Sequence, residues 1–475
     1  MSFRMTRIIA TLGPATARKQ TLLQLIRAGV NVFRLNMSHG SYEDFRQWIR
    51  WVRQAARQAQ AVVTLLMDLQ GPKIRVGRFE NGFIHLNPKD RLTFTTRRVL
   101  GARGLVPIQF ARFPKAVHRG DRVYLNDGNL CVRVLRVSGK EVQVEVEVGG
   151  PLSDFKGVNL PEMKYAPSPI TAKDRRDLEF GLKEGVDYVG LSFVGSAQDV
   201  VRLRRLIRKA GSQAGIIAKI ERKAAVEAYR EIIEEADGVM VARGDLGIEI
   251  PLPQVPVVQR HILRECAVRQ KPGIVATQML ESMIESNRPT RAEVSDVSTA
   301  VMECADAVML SAETATGKHP VGAVRIMGET ARAMEIYQQD HRRIPKWSQF
   351  FEGEPPINLG IAYSANRMVE LLNARALMVF TLSGGTARMV ASPRPNVPIF
   401  AFTSNPETAR RINLLRGVWP VLISGDTRFT GDLTPFFEKM KATRLVKKGD
   451  KVVLTTGIPL NIPQWTNVIR VEVVP

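Results

Sequence analysis

Short apolar runs that end in polar or charged residues recur along the first two thirds of the chain, most of them followed by segments with a period near 3.6. Residues 6–11 (TRIIAT) lead into Leu12, Gly13 and Pro14, and residues 30–33 lead into Arg34, Leu35, Asn36, Met37, Ser38, His39 and Gly40. Residues 61–67 (AVVTLLM) end at Asp68, Leu69, Gln70, Gly71 and Pro72, and residues 186–191 end at Ser192 and Phe193. The runs 216–218 and 238–242 release Lys219, Ile220 and Glu221, then Arg243, Gly244 and Asp245. The last two, 273–276 and 305–310, release Thr277, Gln278 and Met279, then Ser311, Ala312 and Glu313. Eight strands alternating with helices predict an α/β fold, the (β/α)8 TIM barrel, in which every polar ending faces one rim. The pattern therefore gathers Arg34, Asn36, Ser38, Asp68, Lys219, Glu221, Arg243, Asp245, Thr277 and Glu313 in one cleft.

Residues 216–251 carry the most chemistry. Two carboxylates, Glu221 and Asp245, leave adjacent strands on either side of one helical segment, which suits a hard divalent cation such as magnesium. Lys219 shares the rim and can neutralise a substrate that is, or becomes, anionic. The alternative for either charged ending taken alone is a solvated strand end.

Residues 71–165 break the rhythm. Alternating valines, as in EVQVEVEV at 141–148, and turns such as Asn126-Asp127-Gly128 predict a small inserted β domain, expected as a small β-barrel. Placed after the third barrel strand, it overhangs the cleft, either as a lid or as a passive insertion. A polar linker at 348–358 (SQFFEGEPPIN) precedes a third, α/β unit with strands expected at 376–382, 398–402, 418–423, 451–455 and 467–473. There the turn Ser383, Gly384, Gly385, Thr386, Ala387 and Arg388 opens a helix; it is either a phosphate cradle or an ordinary strand-to-helix turn. The expected domains are a barrel from 1–70 with 166–344, the insertion 71–165, and a C-terminal unit 345–475.

A chain of 475 residues agrees with roughly three domains. Its 68 lysines and arginines against 46 acidic residues give a formal charge of +22, but the arginines are scattered without interleaved aromatics, so no nucleic-acid groove is expected. No run approaches a membrane span of ~20 residues, and the N-terminus lacks a secretory pattern. The three cysteines form no CxxC pair and read as reduced thiols of a cytoplasmic protein. There is no GxxxxGK[ST], HExxH or GxSxG motif.

These residues resemble the pyruvate kinase family over nearly the whole chain. The resemblance rests on TRIIATLGPAT, AGVNVFRLNMSHG, MDLQGPKIR, KIERKAAV, DGVMVARGDLGIEIP, ATQMLESMIESNRPTRAEVSDVSTAV, MLSAETATGKHP and RGVWPV, in that order. It implies transfer of the phosphoenolpyruvate phosphoryl group to ADP, giving pyruvate and ATP, in a homotetramer without a membrane or nucleic-acid partner. Glu221 and Asp245 are then the ligands of Mg2+ or Mn2+, Lys219 and Arg34 meet the transferring phosphoryl group, and Gly244, Asp245 and Thr277 hold the substrate carboxylate. Thr277, Ser311 and Glu313 lie near the protonation step, and Pro14, Asn36, His39, Arg75 and Lys173 correspond to nucleotide contacts.

Asn36, Ser38 and Asp68 match the family's potassium ligands. Where potassium-dependent relatives have threonine and lysine after that aspartate and glutamate after the next Gly-Pro, this chain has Leu69, Gln70 and Lys73. Lys73 can stand in for the ion, so K+ is expected not to be required, while a residual monovalent-cation site at Asn36, Ser38, Asp68 and Leu69 stays open. The loop containing Ser383, Gly384, Gly385, Thr386 and Arg388 resembles the effector pocket and suits AMP or a sugar monophosphate more than fructose 1,6-bisphosphate. A magnesium-dependent lyase acting on 2-oxo acids and a catalytically silent regulator are the competing readings.

Overall fold

The computed structural model describes residues 3–163, 168–341, 356–423, 432–457 and 466–475. Eight parallel strands close into a barrel: Arg7–Thr11, Val32–Asn36, Thr64–Asp68, Tyr188–Leu191, Gly215–Ile220, Gly238–Ala242, Gly273–Ala276 and Ala307–Leu310. The closing pair is the first strand against the eighth, with Arg7 beside Ala307. The second strand runs three residues past the expected end and the fifth two, so Arg34, Asn36 and Lys219 lie inside strands rather than in loops. Apolar content alone ends these strands too early, because a charged side chain on a barrel rim continues the ladder while pointing into the mouth.

Helices pack around the barrel, and several of them start at capping boxes. Ser41 accepts from the Asp44 N–H while the Asp44 side chain accepts from Ser41 N–H, and Thr171 with Asp174 and Thr290 with Glu293 repeat the arrangement. The single helix expected between the fifth and sixth strands is two short ones, Lys223–Glu227 and Tyr229–Glu235.

The insertion forms a six-stranded sheet and a two-stranded ribbon around one apolar core that includes Phe94, Phe113 and Val144, with one helical turn at Phe113–Ala116. Its entry is pinned at Gly71, whose N–H donates to Asp174 Oδ1 over 3.1 Å. Gly71 has φ +69°, and a Cβ there would come within 2.8 Å of the Phe193 ring, so this hinge accepts only glycine without rearrangement.

The C-terminal sheet has the order Val418–Leu422, Ile399–Thr403, Ala376–Phe380, Lys451–Thr456 and Val468–Val473, parallel except for the last pair. Domain borders expected at 165/166 and 344/345, and most of the 348–358 linker, lie outside the described residues.

This domain plugs the amino end of the barrel. Leu414, 1% exposed, joins the inner layer of Ile9, Val32, Leu66 and Ile217. Asp306, buried just before the eighth strand, accepts from Arg394 Nη1 and Nη2 at 2.5 and 2.7 Å, and from Gly273 N–H and Arg416 N–H at 3.0 Å each. Removing that carboxylate takes the buried ion-pair partner from Arg394 and the side-chain acceptor from two backbone donors. Asp306→Ala is expected to lower unfolding free energy by about 3–5 kcal/mol, read by chemical denaturation.

Candidate active site

Strand alternation sets the site. Val32, Leu66 and Ile217 point into the barrel core. The residues two further on, Arg34, Asp68 and Lys219, therefore share that inward face one layer nearer the carboxyl rim. In the ladder Arg34 is beside Leu66, Asn36 beside Asp68, and Asp68 beside Gly190, so Asp68 stands two residues nearer the rim than the direct neighbour of Arg34 and the long guanidinium spans that step.

Four charged groups close on one another there. Lys219 Nζ is 2.8 Å from Glu221 Oε1 and 3.2 Å from Asp68 Oδ1. Arg34 reaches Asp68 Oδ2 through Nε and Nη2, each at 2.7 Å, and its Nη1 donates to Thr11 Oγ1 over 3.1 Å. Lys219, Glu221 and Asp68 are 8%, 1% and 1% exposed, which excludes a solvated strand end at Lys219 and Glu221. Burial drives Asp68 upward, but Lys219 and Arg34 outweigh it and hold this carboxyl below its usual range. Burial likewise opposes the Lys219 charge, and Asp68 and Glu221 outweigh that, so its ammonium is retained above the ordinary lysine range. For Glu221, burial pushes the carboxyl up; Lys219 opposes the shift and Asp245 adds to it.

Glu221 and Asp245 thus repel each other in a low-dielectric mouth, an arrangement that a cation relieves. Glu221 Oε2 also accepts from Phe193 N–H over 2.8 Å, which orients it. Among the described residues no group of three or more His, Cys, Asp or Glu side chains could hold a metal. A two-carboxylate set still fits a hard ion whose other positions go to water and substrate oxygens.

Beside this cluster, the helix Arg243–Glu249 begins directly after the sixth strand. Gly244 N–H donates to Thr277 Oγ1 over 2.8 Å. Thr277 sits at φ +68°, a conformation rare for a β-branched residue and common at functional sites. Arg243 keeps it there, donating to the Thr277 and Ala276 carbonyls at 2.7 and 3.4 Å while pairing with Asp296 at 2.6 Å. The sequence pattern put the Arg243 charge in the cleft, but the side chain serves as a brace instead. Glu313, raised by burial, accepts from Ser311 N–H at 2.6 Å and Leu280 N–H at 3.2 Å, joining the seventh and eighth loops. No hydrogen bond links Thr277 to Ser311 or Glu313 among the described residues.

On the second-strand side, Asn36 Oδ1 accepts from Ser38 N–H over 3.2 Å. Lys173 Nζ donates to Met37 O and to Asp177 Oδ2, both at 2.6 Å, and so fastens the loop to the helix Ala172–Lys183. Pro14 is exposed on the first loop. Arg75 donates to Phe155 O over 2.9 Å, and Lys73 Nζ is 3.9 Å from Asp127 Oδ1 of the insertion. Burial depresses the His39 pKa from 6.5, reinforced by the charges of Arg75, Arg34 and Lys73, so all four residues gather at one edge of the mouth.

Ser383, Gly384, Gly385, Thr386 and Arg388 stand apart, at the carboxyl end of the C-terminal strand Ala376–Phe380. Gly384, at φ +90°, precedes the helix Gly385–Ala391, and Thr386 Oγ1 is 3.3 Å from Thr466 Oγ1.

Sequence reasoning missed Ser192. Its hydroxyl, 2% exposed, accepts from Lys219 Nζ over 2.8 Å and donates to Leu69 O over 2.7 Å, locking the ammonium's direction. Its place after the fourth strand was the available signal.

A depressed histidine pKa means that the fold favours neutral imidazole. The contribution is present above the unfolded value near 6.5 and is lost as pH falls through the folded value. Lys73→Gln is expected to raise the His39 titration midpoint toward 6.5, measured by NMR.

The profile described as "Pyruvate kinase, barrel domain" matches residues 3–324, and "Pyruvate kinase, alpha/beta domain" matches residues 360–472. The chain is 42% identical to Pyruvate kinase 2 of Synechocystis over 99% of its own length and 79% of that protein. With pyruvate kinase of Thermotoga maritima it shares 38% identity over 98% of this chain and 99% of the relative. A crystal structure of a pyruvate kinase from Cryptosporidium parvum superposes with a TM-score of 0.91 at 34% identity, covering 99% of this chain and 96% of that one. With both profiles matched in order, relatives similar over nearly the whole chain, and a closed barrel, an insertion and an α/β unit in the fold, the chain belongs to the pyruvate kinase family and is an enzyme of that family.

Proposed function

We propose that the cleft transfers the phosphoryl group of phosphoenolpyruvate to ADP, giving pyruvate and ATP in glycolysis. The observation that carries this reading is the buried Lys219 ammonium held by Asp68, Glu221 and Ser192. Phosphoryl transfer needs positioning and charge neutralisation more than covalent help.

A Lys219 charge fixed by three buried partners costs no reorganisation when the phosphoryl group leaves and negative charge grows on the enolate oxygen. Arg34, oriented by Asp68 and Thr11, is the second cation for the phosphoryl oxygens. The Gly244 and Asp245 backbone N–H groups, with the Thr277 hydroxyl, hold the substrate carboxylate. A magnesium or manganese ion on Glu221 and Asp245 supplies Lewis-acid polarisation of substrate oxygens and masks the repulsion between the two carboxylates. The nucleotide lies along Pro14, Asn36, His39, Arg75 and Lys173, where neutral His39 can stack or hydrogen bond without adding charge. Ser311 and Glu313 order the loops flanking the face from which the enolate is protonated.

The arrangement of the donors supports the reading of potassium independence. Asp68 is matched by two cations, Asn36 Oδ1 is occupied by Ser38 N–H, and the Leu69 carbonyl is occupied by Ser192. Lys73 adds a positive charge at the same edge. The protein further fits a cytoplasmic homotetramer whose Ser383–Arg388 loop receives AMP or a sugar monophosphate; no helix of the described residues is long and apolar enough to cross a membrane.

Pyruvate formation from phosphoenolpyruvate, ADP and magnesium is expected in potassium-free buffer, with less than a threefold gain on adding potassium. Lys73→Glu is expected to need potassium for full turnover. Equal turnover of that variant in both buffers would show that Lys73 does not replace the ion, and no turnover of the parent protein in either would remove the kinase reading.

A further inference from the structure

A cavity of about 250 Å³ opens where the barrel helix Pro320–His341 meets the C-terminal domain, at the amino end of the barrel and away from its mouth. Arg332 enters it from the helix, and Arg375 and Arg444 from the C-terminal domain. Among the described residues none of these three guanidinium groups has a carboxylate within ion-pair reach. The one acidic residue in the wall, Glu335, is 5% exposed and turned elsewhere. Its Oε2 accepts from Met5 N–H over 2.8 Å, and its Oε1 accepts from Thr6 N–H and Thr6 Oγ1 at 2.6 and 2.7 Å. Its single negative charge, held by neutral donors, stands against three guanidinium groups and leaves the wall net positive. Phe3, Ile336, Val397 and Leu445 line the remainder with apolar surface.

Arg205 and Arg208 are exposed along the helix Ala197–Lys209, whereas these three converge from two domains on one concavity. We propose that the cavity is an anion site for a small phosphate ester, distinct from both the catalytic cleft and the Ser383–Arg388 loop. A phosphate group brings nearly two negative charges and three acceptor oxygens, which suits several planar guanidinium forks better than one carboxylate does. The apolar part of the wall takes the body of the ester. Because the walls belong to both the barrel and the C-terminal domain, an occupant bridges them.

Inorganic phosphate is the probe. Calorimetric titration of the full chain without substrates, compared with an Arg332→Gln/Arg375→Gln/Arg444→Gln variant, is expected to show the loss of one phosphate site per chain or at least a tenfold weaker one. A control with the same charge change, Arg205→Gln/Arg208→Gln/Lys209→Gln, keeps the site, and single Arg375→Gln gives an intermediate loss. Pyruvate formation in phosphate-free buffer stays unchanged in all of them, which separates this site from the catalytic reading. A parent isotherm in the triple variant, or equal weakening in the control, overturns the proposal. Acetate binding as tightly as phosphate overturns its assignment to a phosphate ester.

Discussion

Three buried ionised side chains cannot share a barrel mouth unless their charges nearly cancel. Lys219 is the group that lets Asp68 and Glu221 coexist there, and Arg34 shares Asp68 from the other side. Isolated burial of any one of them would cost several kcal/mol. The cluster still leaves Glu221 with a raised pKa, chiefly from burial, with Lys219 opposing the shift and Asp245 adding to it as a like-charged neighbour. A cation and an anionic substrate bound together would complete that balance, which is the basis of the proposed metal-assisted phosphoryl transfer.

The rest of the fold holds these few groups still. Period-two alternation turns Arg34, Asp68 and Lys219 to the same inward face, Ser192 fixes the ammonium from just after the fourth strand, and Arg243 braces Thr277 in its positive-φ conformation. At the opposite end, Leu414 and the Asp306–Arg394 pair seat the C-terminal domain against the floor of the barrel. The insertion enters through Gly71, tied to Asp174 at the start of the helix that carries Lys173. One helix start thus positions both the entry of the insertion and the Lys173 side chain that fastens the loop after the second strand.

The barrel was legible in the sequence because each strand reads as an apolar run with a polar ending. Glu221, Asp245 and Lys219 stood out for the same reason: charge at a strand end is visible one-dimensionally. Strand ends at Asn36 and Ile220 were not, since inward-facing Arg34 and Lys219 look like loop residues until the barrel closes around them. Ser192 and Arg243 show the other limit. A serine after a strand gains its role only from a lysine on the neighbouring strand, and Arg243 turns from the cleft because Asp296, far along the chain, offers a better partner. The grouping of Arg332, Arg375 and Arg444 also depends on domain docking, which leaves no local signature.

The central claim is that the fixed charge of Lys219 drives the reaction. Its most direct test is kcat for pyruvate formation by Lys219→Met, with the folded fraction measured by circular dichroism on the same sample. The account predicts a fall of at least about a thousandfold per folded molecule, roughly 4 kcal/mol of lost transition-state stabilisation. A folded Lys219→Met protein working within tenfold of the parent would contradict it.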